Sequence, residues 1–270
     1  MKQANNQDRN FDDLAKRFKK NIYGGLKGNI RLSVLERDFR ECFPFLPFGA
    51  ESSKTGLRVL DAGGGQGQFS LQFARARHSV VICDISSEML KLAAQEVTEN
   101  GLDSYVKLLH CPIQDVASYF PDPADKFDLV VCHAVMEWVT KPAELLSCLL
   151  EQLKPQGYLS LTFYNLHSLI YKNLLRTNFK KIQQRDFGGK KGSLTPINPL
   201  DPELVFGWLH ELPVKILATS GIRVFHDYIF NENDRERDPE NLIALELEFS
   251  RKQPYQMLGR YIHVLAQKNS

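Results

Sequence analysis

The chain has 270 residues and a formal net charge of +2. It is long enough to bury a full core and too evenly charged to hold a polyanion by bulk electrostatics, so any nucleic-acid contact must come from a local patch. No apolar run reaches membrane-spanning length and the start is polar, which argues against a signal peptide and makes the cytoplasm the expected location. Five cysteines form no CxxC pair and seven histidines show no ligand spacing, which argues against a disulfide framework and a structural metal site.

Residues 1–9 read as a polar, frayed end. Asn10 is placed to cap a helix, with Asp12 and Asp13 in its first turn and Phe11, Leu14, Ala15 and Phe18 at helical spacing. Residues 21–28 break the pattern, and a second helix is expected from about Asn29 to Phe39. Arg31 then falls in a first turn, where a cation opposes the helix dipole. It is either a solvated arginine or the holder of an anion. Residues 43–56, punctuated by proline and glycine, read as a linker. Residues 1–56 thus form a helical cap and linker ahead of a main domain at 57–270.

Leu57 to Leu60 is a short apolar strand broken by Arg58, and Asp61 ends it. Gly63, Gly64, Gly65 and Gly67 follow, then a periodic helix carrying Phe69, Leu71, Phe73 and Ala74. A strand that turns through glycines into a helix opens its backbone to a ligand. The dinucleotide fingerprint wants glycine where Gln68 stands, so Gly63, Gly65 and Gly67 make a tighter turn that suits a ligand without a pyrophosphate. A plain structural bend uses the same residues.

From there strands and helices alternate, which predicts a parallel sheet covered on both faces. Strand two, Ser79 to Cys83, ends in Asp84. An acid at this distance can hold both hydroxyls of a ribose, and helix capping is its alternative use. Met89 is placed on an adenine face or in the core. A helix from about Glu88 to Asn100 stops at Gly101. After strand three (Val106 to Leu109), Ile113 precedes Gln114 and Asp115, which can read an exocyclic amine or cap the next turn. Strand four (Phe127 to Cys132) is apolar, as a central strand should be, and His133 stands at its carboxyl end. Glu137-Trp138-Val139 is expected to run into a helix through Leu145, Leu146, Leu149 and Leu150. Leu153 to Gly157 reads as a turn and Tyr158 to Tyr164 as strand five.

An insertion at about 167–202 follows. Its middle holds Lys172, Arg176, Lys180, Lys181, Arg185, Lys190 and Lys191 against a single acid, Asp186, with aromatics interleaved. This is either a phosphate footprint or a solvated face. A helix (Glu203 to Leu212), a strand (Ala218 to Tyr228), a helix (about Glu240 to Ser250) and a strand (Arg260 to Ala266) close the chain. The expected fold is α/β: a Rossmann-like, seven-stranded, mostly parallel sheet with an antiparallel C-terminal edge strand. Helices cover both faces, with an N-terminal helical cap and the basic insertion after strand five.

Asp61 to Gly67, Asp84, Gln114-Asp115 and the two late strands together resemble class I S-adenosylmethionine-dependent methyltransferases. Longer stretches are similar to the bacterial tRNA 5-carboxymethoxyuridine methyltransferase family over nearly the whole chain. They are residues 8–13, 21–24 and 57–68, His133-Ala134-Val135 with Glu137-Trp138-Val139, residues 163–165, 221–228 except Ile222, and 258–264. The resemblance implies methyl transfer from S-adenosylmethionine to the carboxylate of 5-carboxymethoxyuridine at the tRNA wobble position, giving a methyl ester. It implies cofactor contacts at Arg31, Gly63, Gly64, Asp84, Ile113, Gln114 and His133, with Arg31 on the methionine carboxylate. Asp61, Gly65, Gly67 and Met89 join these from the local reading. It implies tRNA as partner, with no membrane and no metal.

A carboxylate is already a nucleophile, so alignment and water exclusion suffice and no general base is expected. Tyr164, Arg223, His226, Arg260 and Tyr261 are candidates to position it, and each serves equally well as a packing or hydrogen-bonding residue. No Asn-Pro-Pro-Tyr or Asp-Pro-Pro-Tyr follows strand four, and Cys132 is not in a Pro-Cys pair. Rival readings are a small-molecule carboxyl or O-methyltransferase and a non-catalytic tRNA-binding module on the same fold.

Overall fold

A computed structural model describes residues 8–12, 25–45, 47–48, 56–189 and 196–270. The elements in chain order are α1 (Gly25–Cys42), β1 (Arg58–Ala62), α2 (Leu71–Arg75), β2 (Ser79–Asp84), α3 (Ser87–Glu99), β3 (Val106–His110) and α4 (Val116–Tyr119). Then come β4 (Phe127–His133), α5 (Pro142–Glu151), β5 (Leu153–Tyr164), α6 (Leu166–Leu175), α7 (Phe179–Gln183), α8 (Pro202–Glu211), β6 (Val214–Ile222), α9 (Pro239–Phe249) and β7 (Tyr261–Lys268). Among these no helix is long and apolar enough to cross a membrane.

The seven strands lie in the order β3-β2-β1-β4-β5-β7-β6. The first five pair in parallel, and β7 runs antiparallel to both β5 and β6. The antiparallel C-terminal strand lies one place in from the edge, which β6 occupies. Strand order reverses between β1 and β4, so their carboxyl ends flank the crevice where such sheets bind ligands. One apolar core, with Leu60, Val130, Leu146 and Phe163, covers one face. The other face packs Val59, Phe69, Phe73, Ile82 and Val131 against Val34, Leu35 and Phe39 of α1.

Several boundaries depart from the sequence reading for local reasons. α1 starts at Gly25 rather than Asn29, so Arg31 lies in the second turn and its dipole argument does not hold. Within the expected linker, Phe43 is buried, and Phe45 and Phe48 pack on Phe43, Phe39 and Phe69. The 153–157 turn is a bulge inside β5. Pairing jumps from Phe127↔Leu153 to Leu129↔Tyr158, with Gln156 at φ 61°. Glu137 lies in a separate 3-10 turn, Met136–Trp138, and α5 begins only at Pro142. β6 ends at Ile222 because Arg223 takes φ 61°. The next three amides, of Val224, Phe225 and His226, then donate to the Glu246 carboxylate instead of a strand. The basic insertion is helical in its first half, as α6 and α7. Lys190 and Lys191 lie outside the described residues, as do Asp13 to Phe18 of the expected first helix.

Candidate active site

The glycine turn after β1 builds one wall of the site. Gly63, Gly65 and Gly67 take φ of 69°, 57° and 74°, the left-handed region that only glycine enters without strain. At Gly63 space matters too, since a Cβ would lie 2.6 Å from Val135 Cγ2, while one at Gly64 would overlap the Asp61 carboxyl. The Gly63 and Gly64 amides donate to Cys83 O (2.9 and 3.2 Å), tying the turn to the end of β2. There Asp84 accepts from the Gly65 amide at 2.9 Å and from the Ser86 amide at 2.8 Å. Ser86, not Asp84, caps α3, by accepting from Met89 N.

A cleft of about 690 Å³ opens over this turn, lined by Gly63, Gly65, Asp84, Ile85, Met89, Ile113, Gln114 and His133. A smaller lobe of about 250 Å³ continues past Gly63 and His133 to Gly64, Asp61, Arg31, Gln68 and Phe69. Gly67 lines neither lobe; a Cβ there would lie 2.6 Å from Ile82 Cδ1, so it serves the packing of the turn. Burial pushes the Asp61 carboxyl up to about 6, against the pull of Ser70 and Arg31. Burial also raises Asp84, with the Ser86 and Gly65 amides opposing. His133 is held well below the usual imidazole range by burial and by the charge of Arg31.

A strap from the amino-terminal region roofs the larger lobe. Asp8 accepts from Thr140 N at 2.9 Å, and Arg9 N donates to Trp138 O at 3.1 Å. The Phe11 ring meets Trp138 edge-on at 4.8 Å. Asn10 donates to Ile85 O, and Asp12 accepts from Ser86 Oγ and the Glu88 amide. Asp8, Arg9, Phe11, Trp138 and Val139 all line the cleft.

Beside the cleft lies a second group, at the ends of β5, β6 and β7. Asp227, buried, receives Arg223 at 3.1 Å, Arg260 at 3.6 Å and His226 Nδ1 at 3.1 Å. Burial opposes its ionisation, yet Arg223, His226 and Arg260 hold it well below the usual carboxylate range. The Arg260 guanidinium lies 4.4 Å from the Tyr164 ring centroid, and Arg223 lies 5.6 Å from that of Tyr261. The two tyrosines meet edge-on at 5.4 Å. Among the described residues Tyr164 Oη, Arg223 Nε and Arg260 Nη1 are buried without a hydrogen-bond partner. Burial brings Lys172, on α6, down to about 8, with Asp227 opposing and Arg260 assisting. The Arg31 charge is felt by Asp61 and His133 in the cleft and by Glu137 and Tyr261 on this side.

A methyltransferase domain model matches residues 53–201. Over 262 residues the chain is 42% identical to tRNA 5-carboxymethoxyuridine methyltransferase of Escherichia coli (strain K12), covering 97% of each chain. The chain belongs to the tRNA 5-carboxymethoxyuridine methyltransferase family. A more distant relative is a ubiquinone biosynthesis O-methyltransferase of Psychrobacter cryohalolentis, 30% identical over 142 residues, half of this chain and 52% of the relative. Among solved structures, magnesium protoporphyrin IX methyltransferase from Synechocystis PCC 6803 with bound SAH superposes with a TM-score of 0.59 at 18% identity, covering 96% of both chains. That likeness is one of fold.

In this methyltransferase-family chain the residues expected at the cofactor, Gly67 apart, gather along the two lobes. The five expected at the substrate gather around Asp227. The basic residues divide: Lys172 belongs with the Asp227 group, Arg176 pairs with Glu232 at 3.7 Å, Lys180 and Arg185 are exposed, and Lys181 is half-buried. Sequence reasoning missed Asp227 and the Asp8–Phe11 strap. Asp227 stands within the 221–228 stretch and its acid between Arg223 and Arg260 was the available signal. Nothing local marks the strap, whose Asp12 reaches across to accept from Ser86 Oγ and the Glu88 amide at the start of α3.

Proposed function

We propose that this enzyme methylates the carboxylate of 5-carboxymethoxyuridine at the wobble position of tRNA, using S-adenosylmethionine, in the cytoplasm. The cleft fits that cofactor. Asp84 stands where a ribose diol would donate two hydrogen bonds, and Met89, Ile113 and Ile85 offer an apolar slot for adenine, with Gln114 at its rim. Arg31 and Asp61 in the smaller lobe match the carboxylate and ammonium of the amino-acid end. When bound, S-adenosylmethionine supplies an electrophilic methyl group.

The observation that carries the substrate reading is the Asp227 group. One buried carboxylate is shared by two guanidinium groups and approached by Lys172, leaving a net positive cluster whose Arg223 Nε, Arg260 Nη1 and Tyr164 hydroxyl lack a hydrogen-bond partner among the described residues. Such a cluster suits a carboxylate, and the acceptor needs no base because it is already ionised. Arg223 and Arg260 would hold its oxygens, and Tyr164 would donate to one of them. Exposed Lys180 and Arg185, with half-buried Lys181 beside them, present a basic face to the phosphates around the anticodon.

The test is incubation with labelled S-adenosylmethionine and tRNA carrying 5-carboxymethoxyuridine. Base-labile label in the tRNA is expected. Cofactor binding with no such label would refute the reading, and label on a small carboxylic acid instead would favour the O-methyltransferase rival.

A further inference from the structure

A buried chain of hydrogen bonds runs from α1 to the cleft and plays no part in the chemistry above. Asp38 is fully buried on α1. Its Oδ1 accepts from Ser220 Oγ at 3.0 Å, from Arg37 at 2.9 Å and from Arg251, and its Oδ2 accepts from His263 Nδ1 at 2.7 Å. His263 Nε2 lies 3.0 Å from Ser160 Oγ, which lies 2.7 Å from His133 Nε2. His133 lines both lobes, and its Nδ1 is buried without a partner among the described residues.

The protons can be counted along this chain. Burial opposes charge on Asp38, yet His263, Arg37 and Ser220 hold its carboxyl far below the usual range, so it only accepts. His263 therefore carries a hydrogen on Nδ1. Two guanidinium groups already face the charge of Asp38, and with a single hydrogen on its ring His263 accepts at Nε2. The single hydroxyl proton of Ser160 points there, which leaves Ser160 Oγ as the acceptor for His133. His133, kept neutral by burial, then bears its hydrogen on Nε2 and a bare lone pair on Nδ1. A buried lone pair without a donor is costly, and these residues offer none.

We propose that Asp38, His263 and Ser160 are positioning residues that fix His133 in its Nε2–H form, so that Nδ1 accepts a hydrogen bond from the ammonium group of the bound cofactor's amino-acid end. The inference rests on the cofactor reading of the smaller lobe. An ammonium group only donates, so it matches the bare nitrogen and would be repelled by the other tautomer.

The test is nitrogen NMR of the full chain labelled at histidine, free and with S-adenosylhomocysteine, paired with calorimetry. In the wild-type protein His133 is expected to show a pyridine-type Nδ1 and a pyrrole-type Nε2, with Nδ1 moving toward the hydrogen-bonded range when ligand is added. Ser160→Ala is expected to blur that signature and to weaken S-adenosylhomocysteine about tenfold while the fold is retained. A pyrrole-type Nδ1 in the wild-type protein, or a Ser160→Ala protein with unchanged signature and affinity, overturns the proposal alone. Failure of the wild-type protein to bind S-adenosylhomocysteine overturns it together with the cofactor reading. If Ser160→Ala does not fold, the wild-type spectra still decide.

Discussion

Glu137 and Lys172 carry the sharpest consequences of burial. Glu137 is fully buried next to the cleft, and neither of its oxygens meets geometric hydrogen-bond limits among the described residues. Burial pushes its carboxyl from 4.5 up to about 8, with backbone groups and Arg31 opposing. Between those values the folded chain keeps a proton that the unfolded chain releases, so this residue makes stability fall as pH rises through that window. The slope is at most about 1.4 kcal/mol per pH unit. Glu137→Gln is expected to gain stability relative to wild type from the low to the high end of the window, read by urea denaturation at each end. A constant difference would show that the carboxyl ionises normally. Lys172 works in the opposite sense. Its amine loses its charge as pH rises through about 8, and with it part of the attraction for a carboxylate. The free enzyme's ionisation governs kcat/KM. That quantity for tRNA is therefore expected to fall about tenfold across this step, and Lys172→Arg should abolish the step.

At the scale of elements, α1 is held to the sheet by aromatic packing. The Phe39 ring lies 5.0 to 6.0 Å from those of Phe43, Phe48, Phe69 and Phe73 and has no exposed surface. Phe39→Ala is expected to cost about 3–5 kcal/mol in denaturant unfolding, the range for a large ring removed from a packed core. Since α1 also carries Arg31 and Asp38, the same substitution should weaken cofactor binding. A cost under about 1 kcal/mol would mean that α1 is only loosely docked. The parallel half of the sheet was legible because β1 to β4 are short, mostly apolar runs ending in an acid, a histidine or a glycine turn. The late strands were legible only in part. Arg223 breaks β6 through a backbone conformation that its side chain does not announce, and Glu246 takes the freed amides from 20 to 22 residues away. Likewise the proline and glycine of residues 153–157 do make a bend, but the neighbouring pairing with Phe127 keeps that bend within one strand.

For the whole molecule, the site is a meeting of segments far apart in sequence: the strap at 8–12, Arg31 on α1, the ends of β1, β2 and β4, and the Asp227 group. The glycine turn and Asp84 could be read from sequence because one short stretch builds them. The strap could not, because its partners come from elsewhere in the chain; Asp227 has Arg223 and His226 close in sequence, but Arg260 and Lys172 join it from far away. The two lysines of α7 predict a partner-level effect. Lys180→Glu with Lys181→Glu should weaken tRNA binding and flatten its salt dependence by about 1 for each phosphate left unneutralised, without touching S-adenosylhomocysteine affinity. An unchanged salt slope would place the RNA on another face. The account as a whole turns on the Asp227 group holding the carboxylate that receives the methyl group. It is tested most directly by the single-turnover methyl-transfer rate of Arg260→Gln at saturating S-adenosylmethionine. A fall of about a hundredfold is expected, the loss typical of one aligned charged donor. A rate within a few fold of wild type would contradict it.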